Sequence, residues 1–110
     1  MTTGSDPRTP ARRAVMMRYR SVRKGLTAWT MGRVLDLSIT NARVICDHAF
    51  ALDEDMEVHL RLPKDQAIVL RARVAWARPF GVRQFEYVIA FGTLDPSVQQ
   101  AIIGALSGPG

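Results

Sequence analysis

Two short groups of polar residues have the types and spacing needed to bind an anionic ligand. The first is Arg8 and Arg12, an Arg-x-x-x-Arg pair with Arg13 beside it. A guanidinium is planar and permanently charged, so it can donate paired hydrogen bonds to a phosphate or to a guanine edge. With 13 arginines in 110 residues, about 1.5 such pairs are expected by chance. The pair by itself therefore indicates only that an anionic partner fits.

The second group is the hexapeptide from Asp36 to Asn41, Asp-Leu-Ser-Ile-Thr-Asn. Asp36, Ser38 and Asn41 supply a carboxylate, a hydroxyl and a carboxamide at the end of a predicted strand. The same residue types form turns by bonding to their own backbone, and Asn41 is expected there in a left-handed conformation. The hexapeptide taken alone leaves both interpretations open, a turn or a ligand site.

The remaining residues give little indication of a catalytic site. Neither His48 nor His59 lies in a recognisable catalytic-triad context, and His59 falls on the polar side of a predicted strand. Cys46 is predicted to be a small buried hydrophobe, and one cysteine forms neither an internal disulfide nor a thiolate-rich zinc site. No metal motif or phosphate-binding glycine loop is present. The sequence predicts a binding module that is not an enzyme, with no cofactor and no metal.

The elements that must position these residues are mainly strands. Residues 56–62 alternate, with Val58, Leu60 and Leu62 on one face. Residues 68–76 alternate as well, with Arg71 and Arg73 on one face and five apolar residues together on the other, namely Ile68, Leu70, Ala72, Val74 and Trp76. The predicted turns include Pro79-Phe80-Gly81. Asp95 and Pro96 then open a helix whose apolar residues recur every three or four positions. The predicted strands are 15–22, 28–35, 42–46, 56–62, 68–76 and 85–91.

This pattern predicts a mainly β fold, a small six-stranded antiparallel barrel or sandwich with one C-terminal helix. Its length of 110 residues suits one domain. We predict a flexible basic arm over residues 1–13 and a single domain over 14–110, with the helix at about 96–106. The net charge of +5 favours an anionic partner. The polar N-terminus and the lack of any long apolar run predict a cytoplasmic protein without membrane contact.

The order of the two groups resembles the PilZ family. Arg8-x-x-x-Arg12, then Asp36-x-Ser38-x-x-Asn41 after 23 intervening residues, is similar to that family's Arg-x-x-x-Arg and Asp/Asn-x-Ser-x-x-Gly motifs. The strand ending Arg73-Val74-Ala75-Trp76 resembles the family's late valine-x-tryptophan strand. The strand ending Ile89-Ala90-Phe91, followed by a helix, is also similar. The resemblance covers roughly residues 8 to 106 and implies a PilZ-type β-barrel.

PilZ domains are bacterial receptors for cyclic di-GMP, so the resemblance implies nucleotide binding and signal transduction. Arg8 and Arg12, helped by Arg13, would hold guanine edges and phosphates. Asp36 would accept hydrogen bonds from guanine N1–H and N2–H₂, and Ser38 would offer its hydroxyl to phosphate or to the turn. The bound arm would then change the surface shown to a downstream protein partner.

Asn41 departs from the family pattern, which has glycine there. An alternative function is therefore a degenerate PilZ domain that binds no cyclic di-GMP and acts as a protein–protein adaptor. Such an adaptor would use the helix or a sheet face around Val69, Arg71 and Arg73. A third hypothesis, a basic barrel for single-stranded nucleic acid, is disfavoured because Phe85, Tyr87, Phe91 and Trp76 are expected in the core.

Overall fold

The computed structural model describes residues 15–22, 28–63 and 66–107, and within them the predicted six strands and C-terminal helix are confirmed. The strands are antiparallel to their neighbours throughout. Their bounds are β1 Met16–Ser21, β2 Thr30–Leu37, β3 Asn41–Cys46, β4 Asp55–Leu62, β5 Gln66–Gly81 and β6 Gln84–Phe91, and the helix is α1 Pro96–Ser107.

The six strands close into a barrel in the order β1-β2-β3-β6-β5-β4, because β1 pairs with both β2 and β4. An open sheet of six strands would have two edge strands with unpaired backbone groups. Closure into a barrel pairs each of these six strands on both sides. Strand alternation sends one set of side chains inward, and Tyr19, Val58 and Val74 are completely buried there. The helix joins this core through Ile102 and Ala105. The inward residues therefore form the core and stabilise the barrel, whereas the outward residues are available to contact a ligand or a partner.

A β-bulge in β5 overturns one expectation of the sequence pattern. Val74 pairs with Ile89 and Trp76 pairs with Val88, so Ala75 is an extra residue opposite no partner. A bulge of this kind turns the following side chains to the other face of the strand. Trp76 consequently lies on the outer surface, 42% exposed, and the prediction that it shares the core with Val74 is wrong.

The predicted turn at Pro79-Phe80-Gly81 is also wrong, because β5 continues through these residues. The chain reverses at Val82 and Arg83, with Gly81 pairing with Gln84 and Arg83 in the left-handed region at φ 60°. Proline is tolerated in this strand because pairing between β5 and β4 ends at Arg73 and Asp55. Beyond that point β5 pairs only with β6, so the two strands extend as a hairpin.

Arg8, Arg12 and Arg13, with the rest of the predicted arm, lie outside the described residues. Within the described ranges, no helix has both the length and the apolar character needed to cross a bilayer.

Candidate functional site

The hexapeptide from Asp36 to Asn41 forms the hairpin that joins β2 to β3. The Ser38 N–H donates to the Asn41 carbonyl oxygen at 2.9 Å and closes the turn. A bulge at Leu35 shifts the register of β2, so that Asp36 pairs with Arg43 and Leu37 with Ala42. Leu37 points into the core, and the Asp36 side chain lies on the outer side of the barrel with 21% of its surface exposed. The turn therefore carries Asp36, Ser38 and Asn41 together at one rim of the barrel, as the sequence predicts.

The Ser38 hydroxyl is used inside this turn. Its Oγ accepts hydrogen bonds from the backbone N–H of Thr40 at 3.2 Å and of Asn41 at 3.1 Å. The same oxygen lies 3.1 Å from the Asn41 carbonyl oxygen, to which it can donate. Ser38 thus fixes the conformation of the hairpin, which is the structural role that the sequence had left open for it.

Asn41 does not adopt the left-handed conformation expected of it. Among the described non-glycine residues, positive φ occurs only at Asp53 and Arg83. Asn41 is instead the first residue of β3, paired with Ala90 on β6. Its exposed carboxamide donates from Nδ2 to Thr40 Oγ1 at 3.1 Å. The backbone at this position therefore needs no glycine, and the side chain affects only how closely a ligand can approach.

An ion-pair network runs from Asp36 across the outer face of the barrel. Arg43 Nη2 donates to Asp36 Oδ2 at 3.0 Å, and Arg43 Nε lies 3.4 Å from Glu86 Oε2. The other oxygen of Glu86 accepts from both Nε and Nη2 of Arg78 at 3.0 Å. The Glu86 carboxylate is 2% exposed, whereas Arg43 and Arg78 are 46% and 58% exposed. The network thus holds two arginines in place with their outer surfaces open to solvent.

Trp76 lies in the same row of the sheet as Asp36. Cross-strand pairs connect Asp36 to Arg43, Arg43 to Val88 and Val88 to Trp76. The Arg78 guanidinium carbon lies 5.5 Å from the centre of the Trp76 ring, within the range of a cation–π contact. A carboxylate, two arginines and an exposed indole therefore share one face of β2, β3, β6 and β5. We call this face the Asp36–Trp76 face.

Arg43, Arg78, Glu86 and Trp76 were not predicted from the sequence to belong to this face. Alternation from Asn41 places Arg43 on the outer side, and alternation with Tyr87 places Glu86 there, so these two residues have a local signal. The contacts of Glu86 with Arg43 and Arg78 depend on strand register between distant parts of the chain. The outward position of Trp76 depends on the bulge at Ala75. Neither has a signal in the sequence alone.

Two of the side chains for which the sequence predicts no catalytic role have structural contacts, since Cys46 is buried and His48 is hydrogen-bonded to Tyr19. Cys46 is 1% exposed, and burial raises the pKa of its thiol to about 12, so it stays protonated at neutral pH. The Tyr19 hydroxyl accepts from the Asp47 N–H at 3.0 Å and lies 2.8 Å from His48 Nδ1. Burial raises the pKa of Tyr19 as well. In the described part of the chain, no three His, Cys, Asp or Glu side chains gather as metal ligands do.

A closed six-stranded barrel with a polar hairpin at its rim and arginines on its outer face defines a β-barrel binding domain. The family model of the PilZ domain matches residues 5–108. The chain therefore belongs to the PilZ domain family, whose members are binding domains of the cyclic di-GMP receptor class rather than catalysts.

Comparison with solved structures supports the fold independently. The structure of the Bacillus subtilis inhibitor of motility, MotI/DgrA, matches with a TM-score of 0.66 and 15% sequence identity. The match covers 81% of this chain but only 43% of that protein. Such low identity supports the shared fold and nothing finer. No curated protein matches the sequence.

Proposed function

We propose that this domain binds cyclic di-GMP on the Asp36–Trp76 face and passes the signal to a protein partner. The observation that carries the proposal is the Asp36 carboxylate, held by Arg43 at the rim of the barrel on an arginine-lined face. An ionised carboxylate accepts hydrogen bonds only, which matches the N1–H and N2–H₂ donors of guanine. Family membership supports the same ligand.

The charges of the face suit a dinucleotide that carries two phosphodiesters. Arg43 and Arg78 are about half exposed, so each can turn donors toward a phosphate or a guanine O6 and N7. Trp76 offers a flat surface against which a base can stack. Arg8, Arg12 and Arg13 would complete the site from the arm. Ser38 would act by holding the hairpin, and Asn41 would flank the ligand.

Isothermal titration of the full chain with cyclic di-GMP tests the proposal, with GTP and the linear GMP dimer as controls. We expect binding at micromolar concentration or tighter that is selective for the cyclic ligand. The Arg8→Ala/Arg12→Ala and Asp36→Ala variants should each lose this binding and keep their thermal stability. Arg83→Ala, an exposed arginine at the far hairpin turn, is the matched control and should bind normally. Unchanged affinity in Asp36→Ala would contradict the site.

A second candidate function is a PilZ adaptor that binds protein only. The observation favouring it is the exposed Asn41 carboxamide, which stands where the family pattern has glycine. Asn41→Gly distinguishes the two functions, because the backbone there does not require glycine and only the side chain is removed. Nucleotide binding gained by Asn41→Gly and absent from the natural sequence would rule out the receptor function for the natural chain, as the adaptor hypothesis requires. Equal binding by both would exclude it.

A further inference from the structure

The outer face of β1 and β4 lies opposite the Asp36–Trp76 face. In the barrel order β1-β2-β3-β6-β5-β4, β1 is three strands from β6 and β4 is three strands from β3 in either direction. Outward residues of β1 and β4, with those of adjacent β2 and β5, form a continuous surface on this side. We call it the arginine–methionine face, and its members are Met16, Arg18, Met31, His59, Arg61, Val69 and Arg71.

Strand register places large apolar side chains directly beside arginines on this face. Arg18 is paired with Met31 on one side and with His59 on the other, and His59 is paired with Val69. Met16 is paired with Arg61. Met16, Met31 and Val69 are 52%, 50% and 62% exposed. Burying their apolar side chains would lower the free energy. The surface therefore combines unburied apolar area with positive charge.

The arginines of this face form no ion pairs with the described residues, although Glu57 is the cross-strand neighbour of Arg71. Glu57 is already bound to Arg20, whose Nε lies 2.7 Å from its Oε1. None of the carboxylates that the structure describes forms an ion pair with Arg18, Arg61 or Arg71. A partner that supplies carboxylates would therefore be attracted to this side of the barrel.

A depression in the face lies between two of these arginines. Its volume is about 70 Å³, and its lining includes Arg18, Arg61, His59 and the exposed side chains of Met16 and Met31. The depression is large enough for a carboxylate group, since one water-sized probe needs only about 10–15 Å³ of such volume. The two arginines beside it can both donate to such a group.

We propose that the arginine–methionine face binds a protein partner through an acidic segment that also carries apolar side chains. An Asp or Glu of the partner enters the depression between Arg18 and Arg61, and neighbouring apolar residues cover Met16, Met31 and Val69. Arg and Met are enriched in protein interfaces, and Met adapts its shape to the surface it meets. The inference names the chemistry of the partner that the proposed function requires, and it rests on that function for its signalling role.

Methionine methyl NMR of the full chain gives a direct test, because the face carries two exposed methionines. The probe is a synthetic 15-residue peptide with Glu and Leu on one helical face. We expect it to shift the methyl signals of Met16 and Met31 and to leave that of Met56, which is completely buried, unchanged. The matched peptide with Lys in place of Glu should shift none of them.

Charge-reversal variants show whether the arginines are responsible. Arg18→Glu should weaken binding of the acidic peptide at least tenfold, and Arg61→Gln, which removes charge with little change in volume, should weaken it less. Arg83→Glu makes the same charge change at the far hairpin turn and should leave the affinity unchanged. Equal loss in Arg18→Glu and Arg83→Glu would overturn the proposal, because it would mean attraction by net charge alone.

Two further results would also overturn it. One is the absence of methyl shifts at millimolar acidic peptide. The other is a larger shift of the same methyl signals by a 15-nucleotide single-stranded DNA. The peptide is added without cyclic di-GMP, and the nucleotide is titrated into a separate sample. The two samples therefore test separately whether the face binds the peptide and whether the domain binds the nucleotide.

Discussion

The Arg43 guanidinium donates to the Asp36 carboxylate at 3.0 Å across the β2–β3 hairpin, and its Nε faces the buried carboxylate of Glu86. Arg43 therefore links the one acidic side chain of the predicted motif to the centre of the outer sheet face. This contact orients Asp36 before any ligand arrives, and preorganisation of this kind reduces the entropy lost on binding.

Arg43→Ala should lower the affinity for cyclic di-GMP about tenfold or more, because a charge-assisted hydrogen bond contributes about 1.5–3 kcal/mol. Its effect on the free energy of unfolding should be about 1–2 kcal/mol, since the Asp36 pair is partly exposed but the buried Glu86 carboxylate loses one of its two arginines. Titration calorimetry and urea denaturation measure the two effects separately. Arg71→Ala, on the opposite face, is the control and should change neither. A large loss of stability with unchanged affinity would assign Arg43 a purely structural role.

Glu86→Gln should lower the free energy of unfolding by about 1–3 kcal/mol, because its buried carboxylate accepts charge-assisted hydrogen bonds from Arg78 and lies beside Arg43. Glu57→Gln is the matched control. Its contact with Arg20 is shorter, at 2.7 Å, but both side chains are about one-third exposed, so the loss should be below about 1 kcal/mol. Urea denaturation of both variants decides whether burial or distance governs these pairs. Equal losses would contradict the argument.

Trp76→Ala should change the free energy of unfolding by less than about 1 kcal/mol, because the bulge at Ala75 turns the indole outward. Val74→Ala, two residues earlier and completely buried, should cost about 2 kcal/mol. A loss of about 3–5 kcal/mol in Trp76→Ala would instead indicate a core tryptophan, as unbroken alternation predicts. Thermal and urea unfolding of the two variants give the comparison.

Tyr87→Phe should lower the free energy of unfolding by about 1–3 kcal/mol. The Tyr87 hydroxyl accepts from the buried Phe50 N–H at 2.8 Å and donates to the His48 carbonyl oxygen at 2.8 Å. Removing it leaves the Phe50 amide without its acceptor, and that amide should exchange its hydrogen faster. Tyr19→Phe is the comparison, because its partners Asp47 and His48 are exposed and water can replace the hydroxyl. Its loss should be smaller.

Stability should fall as the pH rises above about 9. Burial raises the pKa of Cys46 from 9.0 to about 12 in the folded chain, so the unfolded chain releases this proton first. The contribution of the neutral thiol is complete below pH 9 and is lost as the pH rises toward 12, by up to about 1.4 kcal/mol per pH unit. Cys46→Ala should be less stable at neutral pH but should lose less stability between pH 9 and 11. A parallel decline in both proteins would contradict this assignment.

Much of the fold could be predicted because its signals are local. Alternation over Met56 to Leu62 follows from the geometry of a strand with one buried face, and that strand has the predicted orientation. Pro96 begins the helix because proline suits the first helical turn. The hexapeptide from Asp36 to Asn41 also follows a local rule, since short polar side chains bond to the turn that they form.

The sequence alone determined a β-barrel with a helix and a polar hairpin that presents Asp36, Ser38 and Asn41. The tertiary structure alone decided what surrounds that hairpin. The bulge at Ala75 that exposes Trp76 and the register that brings Glu86 to Arg43 arise from pairing between strands distant in the chain. Local propensity cannot encode such pairing, because it is fixed by how the whole barrel closes around its core.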